Sequence, residues 1–350
     1  MNAIFRSYAK AVAAAAMTGI VLGTTMPGAL AQTILKYSPW LPPGYVLNGP
    51  VLKPWMAEIE KVTEGRVKVE WLPKAVGSAA AQFDVIRDGL ADMSIILPGY
   101  TPGRFPLMEI GELPLLADDP AVLSPVFERI YEKHLEKLEP FKGTRLLTIW
   151  ASTPTQIVTS KGIVQDVSEL AGLKMRAPSN TAVEEMEKLG IVPVQKPVSE
   201  MYELASSGIV DGTFFPLSPI VDWKVDKILK YVTKVPGGMG QSVLAILVNQ
   251  AKWDSIDEKD RQAIMAISGE KLSRQVGEEY AKGEIAARET LLAEGVKIED
   301  ASPQLRQQIK DALAPVDQAW IEKAKSKGLD DAAAVLDDFR AQLDAGSDGK

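Results

Sequence analysis

Along most of this chain, stretches with apolar residues at helical spacing take turns with stretches in which apolar and charged residues alternate. Thr33–Ser38 predicts a strand, and Val51, Leu52, Trp55, Met56, Ile59 and Val62 then fall on one helical face. Val67, Val69 and Trp71 alternate with charged residues, as a strand with one wet face does. Phe83, Ile86 and Leu90 mark a second helix, residues 93–97 a strand, and residues 146–150 a buried strand. From about Asp257 to Glu294 the helical spacing runs on through Ile264, Ile267, Leu272, Val276 and Tyr280, either as one long helix or as two joined near Gly283. Residues 304–326 and 330–343 read as amphipathic surface helices, with a disordered tail at 346–350. Such regular alternation of strand and helix predicts an α/β fold.

One short pattern occurs twice. Val85-Ile-Arg-Asp-Gly-Leu-Ala-Asp92 and Leu204-Ala-Ser-Ser-Gly-Ile-Val-Asp211 each carry Gly, two residues, then Asp. Both fit a helix that ends at a left-handed glycine and feeds a sheet. A common helix–strand turn would explain each alone; two similar α/β lobes would explain the pair.

The N-terminus is of another kind. Arg6 and Lys10 precede an apolar run from Ala11 to Leu22, and Ala29-Leu-Ala31 ends in small residues, the layout of a cleaved export signal over residues 1–31. The run is well short of the ~20 residues a membrane-spanning helix needs. Cleavage would leave 319 residues with a formal charge of −9, enough chain for a large core and two domains. An acidic balance without a basic run argues against nucleic acid, and any anionic ligand must be caught by a local cation.

Candidate chemistry is sparse. There is no cysteine and one histidine, His134, in a charged helical run that suits a solvated face. A zinc or transition-metal site is therefore not expected, nor any cofactor. Ser268-Gly-Glu-Lys271 matches Ser-x-x-Lys but lies in the long helical stretch without companion motifs. Gly237-Gly-Met-Gly240 lacks the spacing of a dinucleotide loop. Acidic residues are plentiful, but nothing marks out a hydrolytic pair.

Arg176 stands apart. In Glu169-Leu-Ala-Gly-Leu-Lys-Met-Arg176-Ala-Pro-Ser-Asn180 it ends a short apolar strand, halted by Pro178 and followed by residues able to cap a helix. That places a planar cationic fork at the mouth of a sheet, where it can grip a carboxylate through two parallel hydrogen bonds.

The same stretch resembles the Gly-Leu-Lys-Met-Arg-Ala-Pro signature of the substrate-binding subunits of tripartite ATP-independent periplasmic (TRAP) transporters. The likeness extends to Gly99-Tyr-Thr-Pro-Gly-Arg-Phe-Pro106 with Glu112-Leu-Pro114, to Met201-Tyr-Glu-Leu-Ala-Ser-Ser-Gly-Ile-Val-Asp-Gly212 and to Lys252-Trp-Asp254. It implies a two-lobed periplasmic binding fold, class II-like, with a long helix across both lobes and a ligand that closes the hinge. Lobe I would be residues 32–153 plus about 241–285, and lobe II residues 154–240 plus about 286–345. The resemblance further implies that Arg176 anchors an organic acid, and that a monomeric, non-enzymatic receptor delivers it to small and large integral-membrane permease subunits.

Departures from the family pattern bear on the ligand. Many members read Val-Asp-Gly-Gln-Glu-Asn-Pro-Leu, with the asparagine on the ligand carboxylate; this chain reads Val210-Asp-Gly-Thr-Phe-Phe-Pro-Leu217. Some members carry a second arginine on the strand entering lobe II, where this chain has Ala151-Ser-Thr-Pro-Thr-Gln156. With Phe214 and Phe215 in place of a Glu-Asn pair, the expected ligand is a monocarboxylate with an apolar or aromatic body. Phe215, helped by Phe214, Trp40, Tyr100, Trp150 and Met239, would wall it. The alternatives are a C4-type dicarboxylate or sugar acid in the same role, a ligand-presenting sensor for a membrane kinase, and an exported hydrolase.

Overall fold

The computed structural model describes residues 32–347, so the expected export signal at 1–31 lies outside the described residues, as do residues 348–350. Its strands are β1 (Thr33–Ser38), β2 (Val67–Trp71), β3 (Met93–Ile96), β4 (Thr144–Ala151), β5 (Gln156–Thr159), β6 (Lys174–Ala177), β7 (Val192–Gln195), β8 (Gly212–Phe215), β9 (Tyr231–Lys234), β10 (Val243–Asn249) and β11 (Lys297–Asp300). They form two sheets, in the orders β2-β1-β3-β10-β4 and β11-β9-β5-β8-β6-β7.

The chain passes between the sheets at 152–155 and again at 235–242, and the strand that follows each passage enters its new sheet antiparallel. β5 lies antiparallel to β8 and β9, and β10 antiparallel to β3 and β4. The two passing segments hydrogen-bond to each other: Ser152 N–H to Ser242 O at 2.8 Å, Thr155 N–H to Gly240 O at 2.8 Å, and Met239 N–H to Thr155 O at 2.8 Å. This two-stranded tie joins the two halves.

The repeated Gly-x-x-Asp pattern has a matching geometry in each sheet. Gly89 and Gly208 adopt φ of 72° and 71°, a left-handed turn that a side chain would strain. Beyond each, the aspartate exchanges bonds with a neighbouring strand: Asp92 Oδ2 accepts from Lys36 N at 2.8 Å, and Asp211 Oδ2 from Lys174 N at 3.0 Å.

The helical stretch after Trp253 breaks at Ser268, not at Gly283. Helix Glu258–Met265 ends there, and a second helix runs unbroken from Gly269 to Ala293. Gly269 takes φ 53°, the conformation that separates the two. The first half of the long helix packs on helix Pro120–Ile130 and β4, its second half on helix Leu217–Asp222 and β11. A Cβ at Gly277 would lie 2.2 Å from Pro120 O, so glycine permits the close approach.

Helix Pro303–Ser326 follows, and the last helix, Ala332–Ser347, packs against helix Pro120–Ile130. The chain end thus returns to the side of the first sheet, where residues 286–345 were expected to stay with the second. Its apolar residues, among them Val335, Leu336, Phe339 and Leu343, join the core cluster that includes Phe127 and Ile130. The helix also runs two residues into the stretch expected as a tail. Among the described residues, no helix is long and apolar enough to cross a membrane.

Candidate ligand-binding site

On β6, Met175 and Ala177 point into the core, so the strand's alternation turns Arg176 to the opposite face. The strand stops at Pro178, and Ser179 caps helix Asn180–Lys188 by accepting the Ala182 amide, as the sequence predicts. Arg176 is 2% exposed. Its Nε donates to Lys196 O at 2.7 Å, and its Nη2 lies 3.5 Å from Tyr100 Oη, which accepts the Val198 amide at 3.0 Å.

Among the described residues no carboxylate forms an ion pair with Arg176. Burial pushes the guanidinium below its ordinary pKa, partly opposed by the Tyr100 hydroxyl and the Glu200 charge. A buried cation held only by a carbonyl and a phenol is electrostatically incomplete.

Arg176 lines a cavity between the sheets, with about 60 Å³ open to the centre of a water molecule. That is room for a few waters or one small ring on the scale of ~10–15 Å³ per water. Trp40, Tyr100, Phe214 and Phe215 are on its wall. Trp40 and Tyr100 meet edge to face at 6.0 Å and pack on the cluster that holds Phe215, and the Trp40 indole donates to Ile95 O at 2.8 Å. Phe214, next along β8, joins the core cluster on the other side of the sheet.

Two expected wall residues are elsewhere. Trp150 is fully buried behind the wall in the core of the first sheet, where its indole N–H reaches Tyr280 Oη at 3.3 Å. Met239 is buried in the core beside the segments that pass between the sheets, because its backbone is pinned on both sides by Thr155.

In their place stand residues the sequence reading did not single out. Tyr45 and Tyr280 line the cavity, with their hydroxyls 2.6 Å apart. Burial raises both phenols, Tyr280 to about 12, so both remain protonated donors. Ser152, Thr155 and Ser242 add hydroxyls from the segments that pass between the sheets, and Ser218 another from helix Leu217–Asp222. The 151–156 stretch, read for a missing cation, carried this polar signal in its hydroxyls.

A two-sheet body with a cation-bearing cavity between its halves is the build of a solute-binding receptor. Residues 40–323 match the bacterial extracellular solute-binding proteins of family 7, and the chain belongs to that family, the solute receptors of TRAP transporters. A TRAP periplasmic solute-binding protein from Bordetella bronchiseptica, solved with bound (R)-mandelate and (S)-mandelate, is 35% identical; the match covers 89% of this chain and 99% of that one, with a TM-score of 0.86. A TRAP solute-binding protein from Rhodoferax ferrireducens T118, in complex with copurified benzoate, is 26% identical over 90% of this chain and 98% of that one, with a TM-score of 0.83. The outer membrane transporter protein TsaT of Comamonas testosteroni is 30% identical over 298 residues, 84% of this chain and 87% of that protein. The chain is thus a receptor that works with membrane permease components, and not an enzyme.

Proposed function

We propose that this receptor captures an aromatic or similarly apolar monocarboxylate in the periplasm and hands it to the small and large integral subunits of a TRAP permease. The carrying observation is Arg176, almost fully buried without a protein carboxylate on a cavity walled by Trp40, Tyr100 and Phe215. With Nε held by Lys196, the Nη edge of the guanidinium is the one a ligand carboxylate would engage. The aromatic walls exclude water from that pair, which strengthens it. A ring against Phe215 would gain roughly 0.5–1.5 kcal/mol beyond simple burial. Mandelate and benzoate, bound by the two similar receptors, are both aromatic monocarboxylates. In this reading residues 1–31 are removed after Ala31, the mature receptor is a monomer, and the 152–155 and 235–242 segments are the hinge on which the lobes close.

Hydroxyls of Ser152, Thr155, Ser218 and Ser242 on the same cavity favour an acid that also carries a hydroxyl group, as mandelate does. A thermal-shift screen of the chain from Gln32 onward, against aromatic, 2-hydroxy, 2-oxo, dicarboxylic and sugar acids, tests the assignment. A ligand that binds only the folded state raises its apparent stability. Stabilisation by aromatic monocarboxylates is expected; stabilisation only by dicarboxylates or sugar acids would discard the role given to Phe215.

A further inference from the structure

A second cluster of buried polar groups lies away from the cavity, where the two halves meet. Glu112 ends the turn Pro106–Glu112, which belongs to the first half; Thr181 and Glu185 lie on helix Asn180–Lys188 of the second; Gln241 is in the hinge segment. Glu112 and Glu185 are 3% and 1% exposed, and neither carboxylate receives a well-formed hydrogen bond on either oxygen. Thr181 Oγ1 and Gln241 Oε1 are also buried without a partner.

These groups converge. The Glu112 charge raises the Glu185 carboxyl, and Ser179, Thr181 and the Val243 amide face Glu112 closely enough to favour its ionised form. A Cβ at Gly240 would lie 2.5 Å from Glu112 O and 3.1 Å from Glu185 Oε1, so the hinge backbone approaches both glutamates. The Gln241 amide donates to Gly111 O at 2.6 Å and Leu113 O at 3.2 Å, on either side of Glu112.

Nearby cations do not balance the pair. Lys323 is held by Glu109 and Glu184, and Arg340 by Asp317 at 2.7 Å. Of these acids, Glu109 adds to the repulsion on Glu112, and Glu184 and Asp317 add to that on Glu185.

We propose that Glu112, Glu185, Thr181 and Gln241 form a binding site for a hard divalent cation, calcium by charge and ligand type, at the junction of the two lobes. Two carboxylates, a hydroxyl and an amide carbonyl make an all-oxygen donor set of up to six atoms, which suits calcium and offers nothing to softer metals. A proton shared by the two carboxylates would partner one oxygen of each and leave the other two, whereas a cation engages every oxygen at once. Because its ligands come from both halves and from the hinge, the bound ion would tie the lobes together.

The test is thermal unfolding of chelator-treated protein titrated with Ca2+, Mg2+ or Na+, with calorimetry for stoichiometry. The expected result is a saturable rise of several degrees with Ca2+, one ion per chain, and its loss in Glu185→Gln and in Thr181→Val while ligand binding at the cavity persists. If Glu185→Gln fails to fold, Thr181→Val carries the comparison. No Ca2+ response, or an equal response in both variants, would overturn the site. So would a stability that rises on acidification but ignores cations, which would assign the glutamates to held protons.

Discussion

Tyr100 and Arg176 come from different sheets and meet at the cavity: the tyrosine hydroxyl lies 3.5 Å from Nη2 of the arginine and accepts the Val198 amide at 3.0 Å. Tyr100 ends the turn Pro98–Tyr100 after β3, and Arg176 is on β6, so one phenol links the first half of the protein to the anchor in the second. Tyr100→Phe should leave the Val198 amide without its partner, a loss of about 1–3 kcal/mol where burial persists. The expected outcome is ligand affinity weakened about tenfold, which is ~1.4 kcal/mol. Calorimetric Kd values for the variant and the parent check this; unchanged affinity would make the contact incidental.

Phe214 and Phe215 both line the cavity, but Phe215 packs in one cluster with Trp40 and Tyr100, whereas Phe214 packs in the core cluster on the other side of the sheet. Phe215→Asn should therefore weaken an aromatic acid by about tenfold or more and narrow the gap to more polar acids, since it removes ring contact worth ~0.5–1.5 kcal/mol beyond burial as well as apolar area. Competition between benzoate and a dicarboxylate on parent and variant reads the change. An unaltered ranking would place Phe215 in the core and remove the basis for an aromatic ligand.

Stability should fall with rising pH across the neutral range, and Glu128 is one identifiable cause. Its Oε2 accepts the Ile149 amide at 2.6 Å and the Thr148 hydroxyl at 3.0 Å, yet burial outweighs these bonds and pushes the carboxyl up to about 8 from an ordinary 4.5. Between those values the folded chain holds a proton that the unfolded chain has released. The contribution is complete below about 4.5 and is lost as pH rises through about 8, at a slope of up to ~1.4 kcal/mol per pH unit. Urea unfolding from pH 5 to 8, in chelator so that no divalent cation binds, should show this decline, to which the similarly raised Glu112 also contributes. Glu128→Gln should flatten part of it; parallel slopes would mean that Glu128 is ionised in the fold.

Much of this architecture was legible in the sequence because local rules act there. The Gly-x-x-Asp repeat predicted two similar turns, and Gly89 and Gly208 show matching left-handed φ values. Arg176 was legible because a cation closing an apolar strand before proline has few other uses. Which buried aromatic faces a cavity was not: β4 is buried on nearly its whole length, so no alternation distinguishes Trp150 from a wall residue. The break at Ser268 escaped notice because three glycines follow it, Gly269, Gly277 and Gly283, and packing with Val46 and Pro120 holds Gly283 and Gly277 in the helix. Tyr45 and Tyr280, joined hydroxyl to hydroxyl, lie far apart in the chain, as do Glu112 and Glu185. Contacts of that kind are set by how the two halves dock, which no local pattern encodes.

The most direct test of the central claim is calorimetric titration of mandelate or benzoate into the parent, Arg176→Lys and Arg176→Ala, with unfolding curves to establish that each variant is folded. The account predicts measurable 1:1 binding to the parent. Lysine, which keeps the charge but loses the planar fork, should weaken it by at least tenfold, ~1.4 kcal/mol, and alanine should abolish it. Retained affinity in folded Arg176→Ala would contradict the account and move the carboxylate anchor elsewhere.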